Sequence, residues 1–98
     1  MLAEARTRIR RYTPEEARAD DELLLVDIRS ADERERFGAI PGAKPIPLSV
    51  LPWRTEQLAG RRVCLVCAQG YSSSLAAALL VELGVDAGDL IGGYEAWS

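Results

Sequence analysis

Histidine is absent from the 98-residue sequence, and cysteine occurs only twice, as Cys64 and Cys67. A structural zinc site needs about four cysteine or histidine ligands, so the two cysteines cannot form one. Catalytic pairs in which histidine activates a serine or a cysteine are excluded for the same reason. Two cysteines also do not make a disulfide framework. We predict no metal and no cofactor.

Long apolar runs and a strong charge imbalance are also missing. The longest apolar segment, residues 75–81, is far shorter than the roughly 20 residues that cross a bilayer. Residues 1–11 mix Glu with Arg and lack the apolar centre of a secretory signal. The formal net charge of -3 gives no general attraction to nucleic acid or to an anionic membrane. We expect a cytoplasmic protein that binds neither.

Composition and hydrophobic pattern favour one small α/β domain. With 48% hydrophobic and 28% charged residues, the sequence is typical of a globular fold. We expect residues 1–98 to form a single domain with one core. Two apolar runs without alternation, at residues 23–26 and 63–67, predict strands that are buried on both faces. Strand and helix signals alternate, which predicts a mostly parallel central sheet with helices on both faces.

Capping residues mark the predicted helix starts. Thr13 with Glu16, and Ser30 with Glu33, have the spacing of a capping box, which predicts helices that end near residues 20 and 37. Residues 72–83 predict a longer helix rich in Ala and Leu. The other predicted elements are an edge strand at residues 9–12, an extended piece at residues 46–48, a strand at residues 90–91 and a last helix at residues 94–98.

The predicted loop between the second buried strand and the long helix holds the candidate chemistry. It reads Cys67-Ala68-Gln69-Gly70-Tyr71-Ser72, followed by Ser73. Sites in parallel sheets lie at the carboxyl ends of strands, which places the sulfur of Cys67 at the rim. Gly70 permits a positive φ, so the loop can curl and direct amides toward the sulfur, together with those of the helix start. Such a ring of donors stabilises a thiolate, a persulfide anion or an oxyanion.

Two other interpretations of the cysteines compete with this one. Cysteine often packs as an inert apolar residue, but the glycine, the serine run and the helix start favour a reactive Cys67. Cys64 and Cys67 also have the C-x-x-C spacing of dithiol redox motifs. Those motifs lie in turns, whereas positions three apart on a strand point to opposite faces and lie about 10 Å apart. We therefore predict that Cys64 belongs to the core.

The sequence resembles the rhodanese-like family over nearly its whole length. The segments that carry the resemblance are Tyr12-Thr13-Pro14-Glu15-Glu16, Leu25-Val26-Asp27-Ile28-Arg29, Ile40-Pro41-Gly42-Ala43, Cys67 to Ser73, and Gly92-Gly93-Tyr94-Glu95-Ala96-Trp97. They are similar to the family's first strand and helix, its L-V-D-V-R strand, its I-P-G-A turn, its active-site loop C-x-x-G-x-R-[ST] and its G-G-x-x-A-W signature. Their order and spacing make the match specific.

The resemblance implies a sulfurtransferase. A Cys67 thiolate would take sulfane sulfur from thiosulfate or another donor and hold it as a persulfide. A thiophilic acceptor such as cyanide or a cellular thiol would then remove the sulfur, and a protein persulfide is a further candidate partner. The six-residue loop from Cys67 to Ser72 has the length of the family's sulfur-transferring members. Related cell-cycle phosphatases use one residue more, to hold phosphate.

Two departures from the family pattern bear on the donor. Ser72 stands where the loop often has Arg, and a serine lacks the charged fork that binds a sulfonate. Ala39 stands where the I-P-G-A turn is usually preceded by His. Arg54 is a candidate to lean over the pocket and supply the missing charge, or else a surface residue beside a core Trp53. Asp27 and Arg29 are predicted to fix loops at the strand end through an ion pair.

Other function classes remain open at this point. A non-catalytic rhodanese-like module that docks a protein partner is the main alternative, and retention of a cysteine in the loop counts against it. A phosphatase or an arsenate reductase is disfavoured by the loop length and by the serine at the arginine position.

Overall fold

The computed structural model describes residues 2–97. Within them the chain forms five α-helices and five β-strands. The helices are α1 Leu2–Thr7, α2 Pro14–Ala19, α3 Ala31–Phe37, α4 Ser72–Glu82 and α5 Gly93–Trp97. The strands are β1 Arg10–Tyr12, β2 Leu23–Asp27, β3 Lys44–Pro45, β4 Arg62–Val66 and β5 Asp86–Leu90. Two 3₁₀ helices, Leu48–Trp53 and Thr55–Gln57, lie between β3 and β4.

The strands form one parallel sheet in the order β1-β5-β4-β2-β3. The central strands carry apolar side chains on both faces, and these form two separate clusters. Val63 and Leu65 of β4 pack with Ala76, Ala77 and Leu80 of α4 on one face. Cys64 and Val66 of β4 pack on the other face with residues of α2 and α5, including Ala17, Tyr94 and Trp97. The predicted α/β class, with helices on both faces of a parallel sheet, is confirmed.

Both predicted capping boxes are present. The Thr13 hydroxyl accepts from the Glu16 amide at 3.1 Å, and the Thr13 amide donates to the Glu16 carboxylate at 2.8 Å. Ser30 and Glu33 make the same reciprocal pair at 3.1 and 3.0 Å. Each box satisfies amides that the first helical turn leaves without partners, which explains why α2 and α3 begin where the sequence indicates.

Other boundaries differ from the prediction. Helix α1 was not predicted, because its mixture of Glu and Arg has no clear apolar stripe. Strand β5 begins at Asp86, four residues before the predicted start, since Asp, Ala and Gly are poor strand formers and pairing with β4 and β1 holds them extended. Leu48 starts a 3₁₀ helix, where extended structure was predicted. Ser98, the predicted end of the last helix, lies outside the described residues.

No helix within residues 2–97 is long and apolar enough to cross a membrane.

Candidate active site

Cys67 directly follows β4 and lines an open cavity of about 480 Å³. Its side chain is only 8% exposed and packs with the apolar cluster under α4. The predicted position at the rim is therefore wrong. The alternation of β4 continues through Val63 and Leu65 to Cys67, so the sulfur points to the buried face beneath α4 and is reached through the cavity.

Two backbone amides donate to the sulfur of Cys67. The Gly70 amide lies 3.1 Å from Cys67 Sγ, and the Ser73 amide lies 3.4 Å from it. Gly70 has a φ of +90°, which lets the loop turn back on the sulfur as the sequence indicates. Ser73 belongs to the first turn of α4, whose amides lack intrahelical partners. Together they give the sulfur two donors without a charged side chain.

A buried carboxylate lies behind the loop. Asp89 is fully buried, and its Oδ2 atom accepts from the Ser73 hydroxyl at 2.9 Å and from the Ser74 hydroxyl at 2.6 Å. The Cys67 thiol in turn donates to Ser73 Oγ at 3.3 Å. Asp89 is opposite Arg11 in the β1–β5 register, and Arg11 Nε donates to Asp89 Oδ1 at 2.9 Å. This side-chain network connects the edge strand to the cysteine.

Sequence reasoning missed Asp89 and its arginine partner. The predicted last strand began one residue after Asp89, which hid the alternation that turns this carboxylate toward α4. The available signal was a charged residue between Ala87 and Leu90, both of which are buried. A charge at such a position requires partners, and the serine run was the obvious source of them.

The glycine pair before α5 holds the loop from the opposite side. The Tyr94 amide donates to the Cys67 carbonyl at 2.8 Å, and the Glu95 amide donates to the Ala68 carbonyl at 3.2 Å. A Cβ atom on Gly93 would lie 2.4 Å from the Cys67 carbonyl oxygen, so only glycine permits this approach. Gln69 Nε2 also donates to Glu95 Oε2 at 2.9 Å.

Asp27 and Arg29 form the predicted ion pair. Arg29 Nε and Nη2 donate to the two Asp27 oxygens at 2.9 and 2.7 Å, and Nη2 also donates to the Gly38 carbonyl at 2.8 Å. The guanidinium carbon stacks 4.0 Å from the centre of the Tyr94 ring. The hydrogen bonds with Asp27 raise the pKa of Arg29, which keeps it charged. Arg29 also forms part of the cavity wall, but Asp27 neutralises its charge.

Most of the other predicted loop residues line the same cavity as Cys67. The cavity is lined by Ala68, Gln69, Tyr71 and Ser72, together with Leu48 and Glu33. Gly70 and Ser73 approach the sulfur through their amides. Arg54 is exposed and lies outside the cavity lining, and Trp53 is 75% exposed, so neither the charge over the pocket nor the core tryptophan is found.

Cys64 lies on the opposite face of the sheet from Cys67. It is fully buried with Val66 and Leu90, and both cysteines are free. Burial raises the pKa of the Cys64 thiol, and the nearby Asp89 carboxylate raises it further. Cys64 is therefore a core residue, as predicted, and the dithiol hypothesis is not supported.

Known proteins are similar to this chain in sequence and in fold. Residues 13–98 match the model of the rhodanese-like domain. "Putative sulfurtransferase YtwF" of Bacillus subtilis (strain 168) is 33% identical over 84 residues, which cover 85% of this chain and 81% of that protein. A rhodanese-like domain protein from Staphylococcus aureus is 28% identical, with a TM-score of 0.84 and coverage of 92% of both chains. A Rhodopseudomonas palustris CGA009 protein, described as a possible tyrosine phosphatase, is 27% identical, with a TM-score of 0.87 over 98% of this chain and 84% of its own.

The fold and the cysteine loop thus define a class, proteins with a rhodanese-like domain. The chain belongs to the rhodanese-like family, and the similar Bacillus subtilis protein bears the name of a putative sulfurtransferase.

Proposed function

We propose that this protein is a sulfurtransferase that carries sulfane sulfur as a persulfide on Cys67. The observation that supports it best is that Cys67 lines a cavity while its Sγ atom lies 3.1 and 3.4 Å from the amides of Gly70 and Ser73. These donors stabilise negative charge on sulfur while the cavity leaves the sulfur open to attack.

The transfer has two steps. The Cys67 thiolate attacks the outer sulfur of the donor, a new S–S bond forms, and the old S–S bond breaks. Thiosulfate would then release sulfite, and a thiol persulfide would release a thiolate. In the second step the thiolate of an acceptor, or cyanide, attacks the outer sulfur, and Cys67 leaves as a thiolate. Stabilisation of that thiolate by the loop amides assists both steps.

The cavity favours a donor without a sulfonate group. Ser72 offers no charge, and the Arg29 charge in the wall is neutralised by Asp27. Glu33 adds a carboxylate to the same wall. A thiol persulfide, whether small or borne by a protein, requires no fixed cation. We therefore expect the chain to use such a donor better than thiosulfate.

Mass spectrometry of the intact protein tests the proposal. After exposure to a thiol persulfide, the protein should gain about 32 Da, one sulfur atom, and peptide mapping should place it on Cys67. Cyanide should then remove the added mass with formation of thiocyanate. Cys64→Ser is the matched control and should still gain the mass, whereas Cys67→Ser should not.

The two main alternatives give different results in the same experiment. A non-catalytic docking module would remain at its original mass with every donor. A phosphatase would hydrolyse an aryl phosphate through Cys67 and would show no sulfur adduct. Either result in a folded protein would contradict the sulfurtransferase proposal.

A further inference from the structure

An arginine of the N-terminal helix contacts the back of the cysteine loop. Arg6 of α1 donates from Nη2 to the Gly70 carbonyl at 3.0 Å and from Nε to Ser74 Oγ at 3.1 Å. Arg6 is partly buried, and it precedes residues 13–98, the segment that matches the rhodanese-like model. Of the described residues that precede this segment, only Arg6 and Arg11 form side-chain hydrogen bonds with the groups of the site described above.

Arg6, and not Ser74, is the hydrogen-bond donor to the Gly70 carbonyl. The Ser74 hydroxyl also lies 3.1 Å from this carbonyl, but it lies only 2.6 Å from the Asp89 carboxylate. A hydroxyl has one proton, and a charged oxygen at the shorter distance is the stronger acceptor. Ser74 therefore donates to Asp89 and accepts from Arg6, which leaves Arg6 as the donor to Gly70.

The direction of this carbonyl decides where the next amide points. In a planar trans peptide the C=O and N–H groups point in opposite directions. Because the Gly70 carbonyl accepts from Arg6 of α1, the N–H of Tyr71 points to the opposite side of the peptide, away from Arg6. Tyr71 itself lines the cavity. Tyr71 caps α4, so its amide has no intrahelical partner and is available to an anion.

We propose that Arg6 is a positioning residue for negative charge at Cys67, acting from behind the loop and not from the cavity wall. It turns the Tyr71 amide toward the cavity, and its charge adds to the positive potential behind the loop. The other nearby arginines, Arg11 and Arg29, are each paired with a carboxylate. The hydrogen bonds of Arg6 go to a carbonyl and a hydroxyl, which do not neutralise it. This inference deepens the proposed function, since it concerns the same loop.

Alkylation of Cys67 by two reagents of equal shape tests the proposal without any sulfur donor. Iodoacetate is an anion, iodoacetamide is neutral, and the ratio of their rate constants reports how well the loop accepts negative charge. Arg6→Gln should lower this ratio by about three- to ten-fold, the effect of one partly exposed charge with its hydrogen bonds. Arg8→Gln is the matched control, because Arg8 lies on the same helix but pairs with Glu4 and Glu82 at the surface. It should leave the ratio unchanged.

Two further measurements separate positioning from a general loss of structure. Arg6→Lys keeps a charged donor within reach of the Gly70 carbonyl and should recover most of the ratio. In the wild type the ratio should fall as sodium chloride increases, and in Arg6→Gln this salt dependence should be weaker. If Arg6→Gln does not fold, the Arg6→Lys ratio and the wild-type salt dependence still test the idea.

An unchanged ratio in folded Arg6→Gln, an equal fall in Arg8→Gln, or no recovery in Arg6→Lys would overturn the role of Arg6. Persulfide formation is measured separately. A chain that forms no persulfide but shows the expected ratios would contradict sulfur transfer alone, and the opposite result would contradict Arg6 alone.

Discussion

The hydroxyl of Ser73 lies 3.3 Å from the sulfur of Cys67, yet it donates its proton to a different group, the Asp89 carboxylate at 2.9 Å. The sulfur therefore faces the lone pairs of Ser73, and a thiol can donate to them while a thiolate gains nothing from them. Asp89 and the Cys67 sulfur lie within reach of the same Ser73 proton, and the carboxylate holds it. This competition keeps the Ser73 hydroxyl from donating to the sulfur.

Asp89→Asn should release that restraint. The asparagine carbonyl can still accept from Arg11, and its NH₂ group can donate to Ser73 Oγ, which frees the Ser73 proton for the sulfur. A hydrogen bond to a charged acceptor contributes about 1.5–3 kcal/mol, so alkylation of Cys67 by iodoacetamide at neutral pH should become roughly ten-fold faster or more. Ser73→Ala removes the shared hydroxyl, and Asp89→Asn in that background should have a much smaller effect. A rate in folded Asp89→Asn that is equal to the wild type or slower would contradict the competition.

Much of the architecture could be predicted from local sequence patterns, namely apolar runs and capping boxes. Residues 23–26 and 63–67 are apolar on both faces because they lie at the centre of the sheet, and both capping boxes fix their helices. The β5 boundary could not be predicted in the same way. Asp86, Ala87 and Gly88 become strand through pairing with the neighbouring strands β4 and β1, a tertiary effect that overrides their local preference.

The residues of the cysteine loop could be predicted from the sequence, but the side-chain contacts behind the loop could not. The placement of Cys67 at a strand end and the turn at Gly70 follow from a strand, a glycine and a helix start in succession, whereas the burial of the sulfur beneath α4 was not predicted. The contacts behind the loop join residues far apart in sequence, 68 positions for Arg6 with Ser74 and 78 for Arg11 with Asp89. No local pattern encodes such contacts, because they depend on β1 pairing with β5 and on α1 packing against α4.

Because the thiol of Cys64 is buried, we expect the free energy of unfolding to depend on pH in the alkaline range. Burial raises the pKa of Cys64 above the ordinary thiol value of 9.0, so the unfolded chain loses this proton at a lower pH than the folded chain. This contribution to stability is complete below pH 9 and is lost as the pH rises through the folded pKa. The free energy of unfolding should fall by up to about 1.4 kcal/mol per pH unit in that window.

Cys64→Ala removes the titrating group and should flatten this part of the profile. Urea unfolding at pH 8 and pH 10 measures the difference, and Cys67→Ala is a control for the other thiol. Parallel profiles in wild type and Cys64→Ala would show that Cys64 is not protonated more tightly in the folded state.

Gly70 and Gly84 have nearly the same φ angle, so a comparison of variants at the two positions separates the effect of loop geometry from that of backbone strain. Gly70 has φ of +90° and Gly84 has φ of +88°, so alanine at either site should cost about 1–2 kcal/mol of stability. A Cβ at position 84 meets nothing within 4 Å, whereas at position 70 it lies 3.1 Å from the Gly92 amide nitrogen. Only Gly70→Ala should therefore displace the loop and slow both alkylation of Cys67 and persulfide formation. Equal rates in the two variants would mean that the loop tolerates the shift.

Ser72 faces the cavity at the first position of α4, which makes it the place to restore a sulfonate-binding charge. The residue is exposed, and the cavity of about 480 Å³ has space for a longer side chain. Ser72→Arg should introduce a charged fork of donors beside the sulfur. A charge-assisted hydrogen bond contributes roughly 1.5–3 kcal/mol, which corresponds to about a 10- to 150-fold gain in kcat/KM with thiosulfate.

The gain in kcat/KM should require both a sulfonate group on the donor and a positive charge at position 72. Ser72→Gln is the matched control, since it adds length and hydrogen bonding without charge and should give little improvement. A neutral persulfide donor has no sulfonate, so its kcat/KM should not rise in Ser72→Arg. Part of the thiosulfate gain is long-range attraction and should shrink as salt increases. Steady-state rates with both donors at low and high salt measure this. Equal gains for both donors, or none for either, would show that Ser72 does not set donor choice, and would leave the amides oriented by Arg6 as the principal anion-binding groups.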